Sequence, residues 1–453
     1  MSPRPLCTLA LVAAAALSAA AAAQTSPVWE ELPDSPYNWY RSEDVVFVGP
    51  DRGWAVVGAG GGEAYRTVDG GATWSPPVVL NGYLRATGFA TVDKGWIGVL
   101  WSPSKLYETL DGGLSYADVT SRIQPALPGN VGVCGMWVLD AQTAYAVGQY
   151  SSPAYLLKTT DGGASWSSRP MAPVADELID VMFFDAQHGL ATGGTGPFAS
   201  SRARIIGTDD GGQTWTVRHT VEGVHSVGWK LTFPSRLVGY ASVEQLDEGA
   251  DVDSIVLKTV DGGQTWTQIT IPGGGSLQGI GFVTPEVGWA SGRGRTSVTT
   301  DGGLTWSHVP STRNGTAENS PVVPGGQLDG DVNRFRFYDG VGYAAGHRLY
   351  RIDTGGFVAA EEAAAGTDGL DVLAPNPARG PVRVGYRVSV SGPVRVEVFD
   401  VQGRRVASLV DGEAGPGAHV ATWVPDGLAP GLYVVRMRSG AGVWSRSVSV
   451  VGR

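Results

Sequence analysis

Asp261-Gly262-Gly263-Gln264-Thr265-Trp266 is the stretch that decides the fold, because its form, Asp-Gly-Gly-x-Thr/Ser-Trp/Tyr, recurs through the chain. It begins again at Asp69, Asp111, Asp161, Asp210 and Asp301, and successive aspartates are 42, 50, 49, 51 and 40 residues apart. A turn repeating at this period marks a repeat architecture. Within the turn, the leading carboxylate accepts backbone N–H groups from the next few residues. The two glycines take backbone angles that other residues resist. The hydroxyl closes the turn, and the final ring packs between sheets. Six carboxylates, each on its own repeat, are expected to be structural rather than catalytic or metal-ligating, since a calcium loop concentrates its ligands in one turn.

An aromatic-small signature precedes each box: GWAVVG at Gly53, GWIGVL at Gly95, AYAVGQ at Ala144, GLATGG at Gly189, GYASVE at Gly239 and GWASGR at Gly288. A seventh copy, GYAAGH at Gly342, precedes a decayed box at Asp353. Apolar stretches lie before each signature, among them VVFV from Val45, VMFF from Val181, KLTF from Lys230 and RFRFY from Arg334. Another strand comes after each good box. Four short antiparallel strands per ~45 residues is the pattern of a β-propeller blade. The seventh unit lacks a fourth strand, and the segment Val28 to Pro33 resembles the strand that comes after a box. The first mature strand is therefore expected to complete the last blade and to remove an open sheet edge.

Composition agrees with a folded, turn-rich chain. Of 453 residues, 66 are Gly, but 15 Trp and 15 Tyr accompany them, and disordered chains are poor in aromatics. A net charge of -10 without a long basic run argues against nucleic acid as a partner. Arg4, the apolar run from Leu6 to about Leu17 and Ala21-Ala22-Ala23 read as an export signal, cleaved before Gln24. Nothing later reaches the ~20 apolar residues of a membrane span. Cys7 leaves with the signal, so Cys134 stands alone, without an intramolecular disulfide.

The boxes resemble the Asp-box (BNR) repeats of sialidases and related propellers. The combined pattern of GWAVG, a strand and TxDGGxTW more closely resembles the photosystem II assembly and stability factor family, over roughly Val28 to Phe357. That resemblance implies a seven-bladed propeller and, as one possible function, an assembly factor for a membrane complex. After a linker, residues 371–453 contain Pro375-Asn376-Pro377, VRVEVFDVQGRRV from Val394 and LAPGLYVVRM from Leu428. Their alternation is that of half-buried strands, and seven or so strands suggest an immunoglobulin-like sandwich. The segment resembles the type A C-terminal sorting domain of the type IX secretion system, which implies that this segment engages that machinery for export across the outer membrane.

The expected fold is all-β: a seven-bladed β-propeller followed by an immunoglobulin-like β-sandwich. The expected segments are a signal peptide (1–23), the propeller (24–357), a linker (358–370) and the sorting domain (371–453). Long loops concentrate on the face opposite the boxes, which points to binding there. That face is expected to carry Tyr37, Trp39, Tyr40, Trp101 and Tyr150 with Arg85, Arg202, Arg204, Arg293, Arg295 and Arg348. Aromatic platforms with arginines suit a glycan, a peptide or a carboxylate ligand.

The acidic loop Glu244, Asp247, Glu248, Asp251, Asp253 lacks calcium-loop spacing and reads as a solvated insertion. No P-loop, zinc motif, nucleophile elbow or Cys/His pair occurs, so neither cofactor nor metal is expected. The leading expectation is an exported, non-catalytic binding or scaffolding protein, outside the cell or at its surface, with a glycan or protein ligand. A glycoside hydrolase of sialidase or glucanase type is the catalytic alternative, although the arginine motif of sialidases is absent.

Overall fold

The computed structural model describes residues 28–451 except 33, 37–40, 59–60, 151–152, 247–251, 293, 310–327, 329–330, 339, 355–368, 375–377, 379, 389, 401, 416, 430 and 441. The proposed signal, Tyr37, Trp39, Tyr40, Arg293, most of the linker and Pro375-Asn376-Pro377 lie outside the described residues.

Each repeat becomes one sheet. The first runs Ser42–Val48, Arg52–Val57, Glu63–Thr67 and Val78–Val79, in sequence order and antiparallel. The same meander is built on the inner strands Tyr83–Phe89, Gly135–Val138, Glu177–Phe183, Ser226–Thr232, Gly279–Phe282 and Arg334–Tyr338. Two sheets depart from it. The third gains a fifth strand, Ile123–Gln124, parallel to Trp166–Pro170. In the seventh, the outer place is taken by Glu30–Glu31, paired antiparallel to Leu349–Asp353 with Glu30 opposite Arg351. The N-terminal strand therefore sits where the sequence required one. Inner strands contact those of the next sheet all the way round, the seventh meeting the first, so the sheets close into a ring.

The signature aromatic explains how neighbouring sheets adhere. Trp54 stacks on Phe89 at 3.5 Å, Tyr145 on Phe183 at 3.6 Å and Tyr240 on Phe282 at 3.5 Å, each pair linking one sheet to the next. Phe47 of the first sheet stacks on Tyr343 of the seventh at 3.6 Å. The polar tips of these rings reach the neighbour's box: Trp54 Nε1 donates to Gly112 O at 2.8 Å and Tyr240 Oη to Gly302 O at 3.2 Å. Such pairs contribute roughly 0.5–1.5 kcal/mol each beyond the area they bury. The small residue of the signature is needed because the inner-strand ring lies over it; a Cβ on Gly53 would collide with Phe47.

In the boxes, both glycines hold positive φ, as at Gly211 (72°) and Gly212 (87°), angles that side chains with a Cβ disfavour. Asp210 Oδ1 accepts Thr214 N at 2.8 Å and Oδ2 accepts Thr214 Oγ1 at 2.6 Å. Thr208 Oγ1 donates to Asp210 at 2.8 Å and accepts Gly212 N at 2.9 Å. The arrangement repeats at Asp69, Asp111, Asp161, Asp261 and Asp301. Each box also bonds the first hairpin turn of its own sheet, as Gly211 N does to Gln187 O at 2.8 Å. This fixes the boxes and those hairpins on one face of the ring and the remaining loops on the other.

Beyond the ring lie two further sheets. One orders Gly369–Ala374, Val382–Val388 and Gly417–Trp423; the other orders Arg405–Ala414, Gly392–Asp400, Gly431–Ser439 and Gly442–Val450. They share one apolar core, with Val382 and Trp423 from the first and Val396, Val435 and Val448 from the second. The Asp400-x-x-Gly403-Arg404 turn is closed by Asp400 accepting Arg404 N and Nε at 2.9 and 2.7 Å. Among the described residues no helix is long and apolar enough to cross a membrane.

Candidate functional site

The axis of the ring is filled by charge, and register shifts in the inner strands are the local reason. Pairing slips between Ser42 and Asp44, Leu84 and Ala86, Leu178 and Asp180, and Gly228 and Leu231. A bulge re-aims the side chains around it. Here the slips fall at Glu43, Arg85, Ile179 and the pair Trp229-Lys230, all at corresponding depth.

Two linked clusters result. Nearer the loop face, Glu43 accepts from Arg85, Tyr83 and Asn333, the last at 3.0 Å. Asn333 in turn accepts Trp229 Nε1 at 2.7 Å, and Arg85 lies over the Trp229 ring at 5.1 Å. Deeper, Arg334 makes two 2.9 Å hydrogen bonds to Asp180 and approaches Asp44 at 3.1 Å, while Arg336 lies 3.3 Å from Asp44. Burial alone would push the Asp180 carboxyl upward, but Arg334 overrides it and holds it at about 2. Glu43 and Asp44 are likewise held low against burial, by Arg85 and Arg336 first. Trp229 to Asn333 and Asp180 to Arg334 join sheets that are not neighbours. The channel is thus bridged across its width.

On the box side of this plug a cavity of about 480 Å³ opens, with Asp180, Arg334 and Arg336 at its inner end and Trp137, Phe233, Phe337 and Tyr338 among its walls. On the loop side, the plug continues into aromatics. Tyr83 meets Trp101 at 5.1 Å, and Tyr150 meets Trp229 and Phe198 at 5.7 and 5.1 Å. Trp101 is 65% exposed and is the one non-glycine residue with positive φ (51°) among those described. A bulky residue in that conformation is strained, and such strain concentrates at ligand clamps and active sites.

Of the residues expected from sequence, Arg85, Trp101 and Tyr150 come together at this mouth through Tyr83 and Trp229. Arg85 lies inside the channel, buried and ion-paired, rather than on the open face. The other described arginines do not converge. Arg202 pairs with Glu222 at 2.5 Å, Arg204 donates to Val174 O at 2.9 Å, Arg295 bonds Gly273 O, and Arg348 faces Glu31 at 3.4 Å. All four sit on or beside outer strands. From the acidic loop, Asp253 accepts Gly273 N at 2.8 Å and Gln278 donates to Glu244 at 2.6 Å. No group of three or more His, Cys, Asp or Glu is placed to hold a metal ion among the described residues.

Sequence reasoning passed over Glu43, Asp44, Asp180, Trp229, Lys230, Asn333, Arg334 and Arg336. Their signal is a charge interrupting an apolar inner strand, as in ELIDV and VGWKL. Glu177, at the loop-side start of the fourth inner strand, is also buried, and neither carboxylate oxygen has a hydrogen-bond partner among the described residues. Burial raises its carboxyl to about 7.

No family model and no curated protein matches the chain. Among solved structures, YCF48 from Cyanidioschyzon merolae is similar at 18% identity, over 72% of this chain and 98% of that one, with a TM-score of 0.51. YCF48 bound to D1 peptide is similar at 19% identity, over 72% and 94%, with 0.49. PorZ, a surface component of the type-IX secretion system of Porphyromonas gingivalis, gives 14%, 92% and 60%, with 0.48.

Proposed function

We propose that the seven sheets of this β-propeller, a fold shared with YCF48, count as seven blades and that the protein is an exported, non-catalytic binding module. Its ligand site is the loop-side channel mouth, built on Trp101, Tyr83 and Tyr150. The observation that carries this reading is Trp101, a large ring 65% exposed in a strained backbone beside a channel closed by charge. An exposed ring held at such cost suits stacking against a sugar or an extended peptide. A non-catalytic role is supported by the carboxylates of the plug, Glu43, Asp44 and Asp180, which are all engaged by arginines. Those of the boxes are occupied within their own turns.

In the same proposal, residues 1–23 are a signal peptide, 24–357 the propeller, 358–370 a linker, and 371–453 an immunoglobulin-like sandwich acting as a type IX sorting domain. The closed Asp400 turn and Tyr433 Oη donating to Ala429 O at 2.7 Å support the last assignment, since both lie in the motifs that carry the resemblance.

A glycan array and an extended-peptide library probed with the labelled chain test the binding reading. Hits that Trp101→Ala and Tyr150→Ala both lose support it; hits that both variants keep place the site elsewhere. Turnover of chromogenic glycosides by the unmodified chain would replace it with the hydrolase reading. Deleting residues 371–453 should leave the propeller in the periplasm, and undiminished export would refute the sorting assignment.

A further inference from the structure

Lys230 is the cation of the channel that the plug does not use. It lies in the register slip between Gly228 and Leu231. It is 1% exposed, and Nζ has no hydrogen-bond partner among the described residues. The groups acting on it electrostatically come from five other sheets: Glu43 and Asp44 from the first, Arg85 from the second, Cys134 at the start of the third, Asp180 from the fourth and Arg334 from the seventh. The inner strand of the sixth, Gly279–Phe282, contributes no charge. A side chain felt from so many directions points along the ring axis.

Formal charge sharpens the point. Glu43, Asp44 and Asp180 are answered by Arg85, Arg334 and Arg336. At the mouth, Arg41 lies 3.7 Å from Glu43 and also bonds Gln278, which in turn bonds Glu244. Burial keeps the Cys134 thiol protonated, so it supplies no negative charge. Among the described residues these pairings leave a protonated Lys230 without a counterion of its own, and burial, with Arg334 and Arg85 alongside, drives its proton affinity down against the pull of Asp180 and Asp44. An unpaired buried ammonium is heavily penalised. The same surroundings favour a negative ion placed against it.

We propose that the channel core binds a small monovalent anion, of halide size, against Lys230 Nζ between Arg85 and Arg334. Lys230 does not line the cavity of about 480 Å³ beyond the plug, so the site proposed here is distinct from that cavity and its occupant is taken to be a single ion. Binding and protonation of Lys230 are reciprocal, so affinity rises as pH falls through the range in which the amine protonates.

The test uses the full purified chain. Thermal unfolding is measured in chloride and bromide series, balanced with gluconate to constant ionic strength. Expected is a midpoint that rises and saturates with either halide, more steeply at lower pH. Lys230→Met is expected to be level across the series and no less stable than the wild type in gluconate. A wild type indifferent to halide, or a Lys230→Met variant that keeps the full response, overturns the proposal. Should that variant fail to fold, bromide-soaked crystals of the wild type decide it. An anomalous peak within hydrogen-bond reach of Nζ is expected, and a channel without one rejects the site.

Discussion

The phenol of Tyr343 donates to the carbonyl of Gly70 at 3.2 Å, while its ring stacks on Phe47 at 3.6 Å. The donor belongs to the seventh sheet and both partners to the first, so one residue fastens the end of the repeat to its beginning. Tyr343→Phe keeps the stack and loses the hydrogen bond, at a cost of about 1 kcal/mol. Tyr343→Ala loses both, at about 3–5 kcal/mol. Urea unfolding of the two variants separates the terms.

Trp29 makes the second fastening, with its ring 5.4 Å from Trp289 and 5.7 Å from Phe335. Trp29→Ala should cost about 3–5 kcal/mol. It should also loosen Glu30–Glu31 from Leu349–Asp353, exposing a strand edge that templates association. Light scattering at rising concentration should show self-association of the variant and none of the wild type.

Acid should unfold the ring through its carboxylates. Hydrogen bonds from the box hydroxyls, those of Thr73, Ser115, Ser165 and Thr214, hold Asp69, Asp111, Asp161 and Asp210 at about 2. Asp180 is held there too, by Arg334. A depressed carboxyl contributes stability that is present above its unfolded value and lost as pH falls through the folded one. The thermal midpoint should therefore decline from about pH 4 towards pH 2. Asp180→Asn should show a shallower decline and a loss of about 3–5 kcal/mol at neutral pH, because it leaves Arg334 buried with one partner fewer.

Glu177 carries the opposite sign. Its carboxyl is raised from 4.5 to about 7, so the folded state holds the proton more tightly. Stability is then lost as pH climbs from the unfolded value to the folded one. Glu177→Gln should match the wild type at pH 4.5 and exceed it at pH 8 by roughly 3 kcal/mol at most. Equal midpoints at pH 8 would show that the carboxylate is solvated.

Trp101 separates stability from binding. Trp101→Gly removes the cost of a bulky residue at φ 51° and should stabilise the chain by about 1 kcal/mol, while abolishing ligand binding. A variant that is both less stable and fully competent to bind would assign Trp101 to the scaffold alone.

The range of each interaction decides whether the sequence discloses it or conceals it. The boxes are local: Asp210, Thr208 and Thr214 lie within seven residues, so their hydrogen bonds leave a motif at a fixed interval. The missing outer strand of the last unit was equally legible, because its place in the repeat was vacant and a matching segment stood at the other end of the chain. The plug is different. Asp180 and Arg334 are 154 positions apart and Asn333 and Glu43 are 290 apart, with no motif to tie them. Bulges also break the alternation that tells inward from outward positions, which is why Arg85 read as a residue of the open face when it lies in the channel. Trp101 and Tyr150 were singled out from the sequence because long loops concentrate where the scaffold leaves backbone free. Arg202 and Arg204 lie on that same face, but their ion pair and carbonyl contact hold them on the third strand of their sheet, Arg202–Thr208, away from the channel mouth.

The pairing of Glu30 with Arg351 has a consequence for the order of events in the life of the chain. A ring whose first and last strands share one sheet stays open until almost the whole propeller has been synthesised. While the chain is still lengthening, the six preceding sheets can form locally, yet the closure that locks the axis must wait for Leu349–Asp353. Timing is thus written into connectivity: the ring stays unlocked for as long as the strand Leu349–Asp353 is withheld, and commits to its final shape once that strand meets Glu30–Glu31.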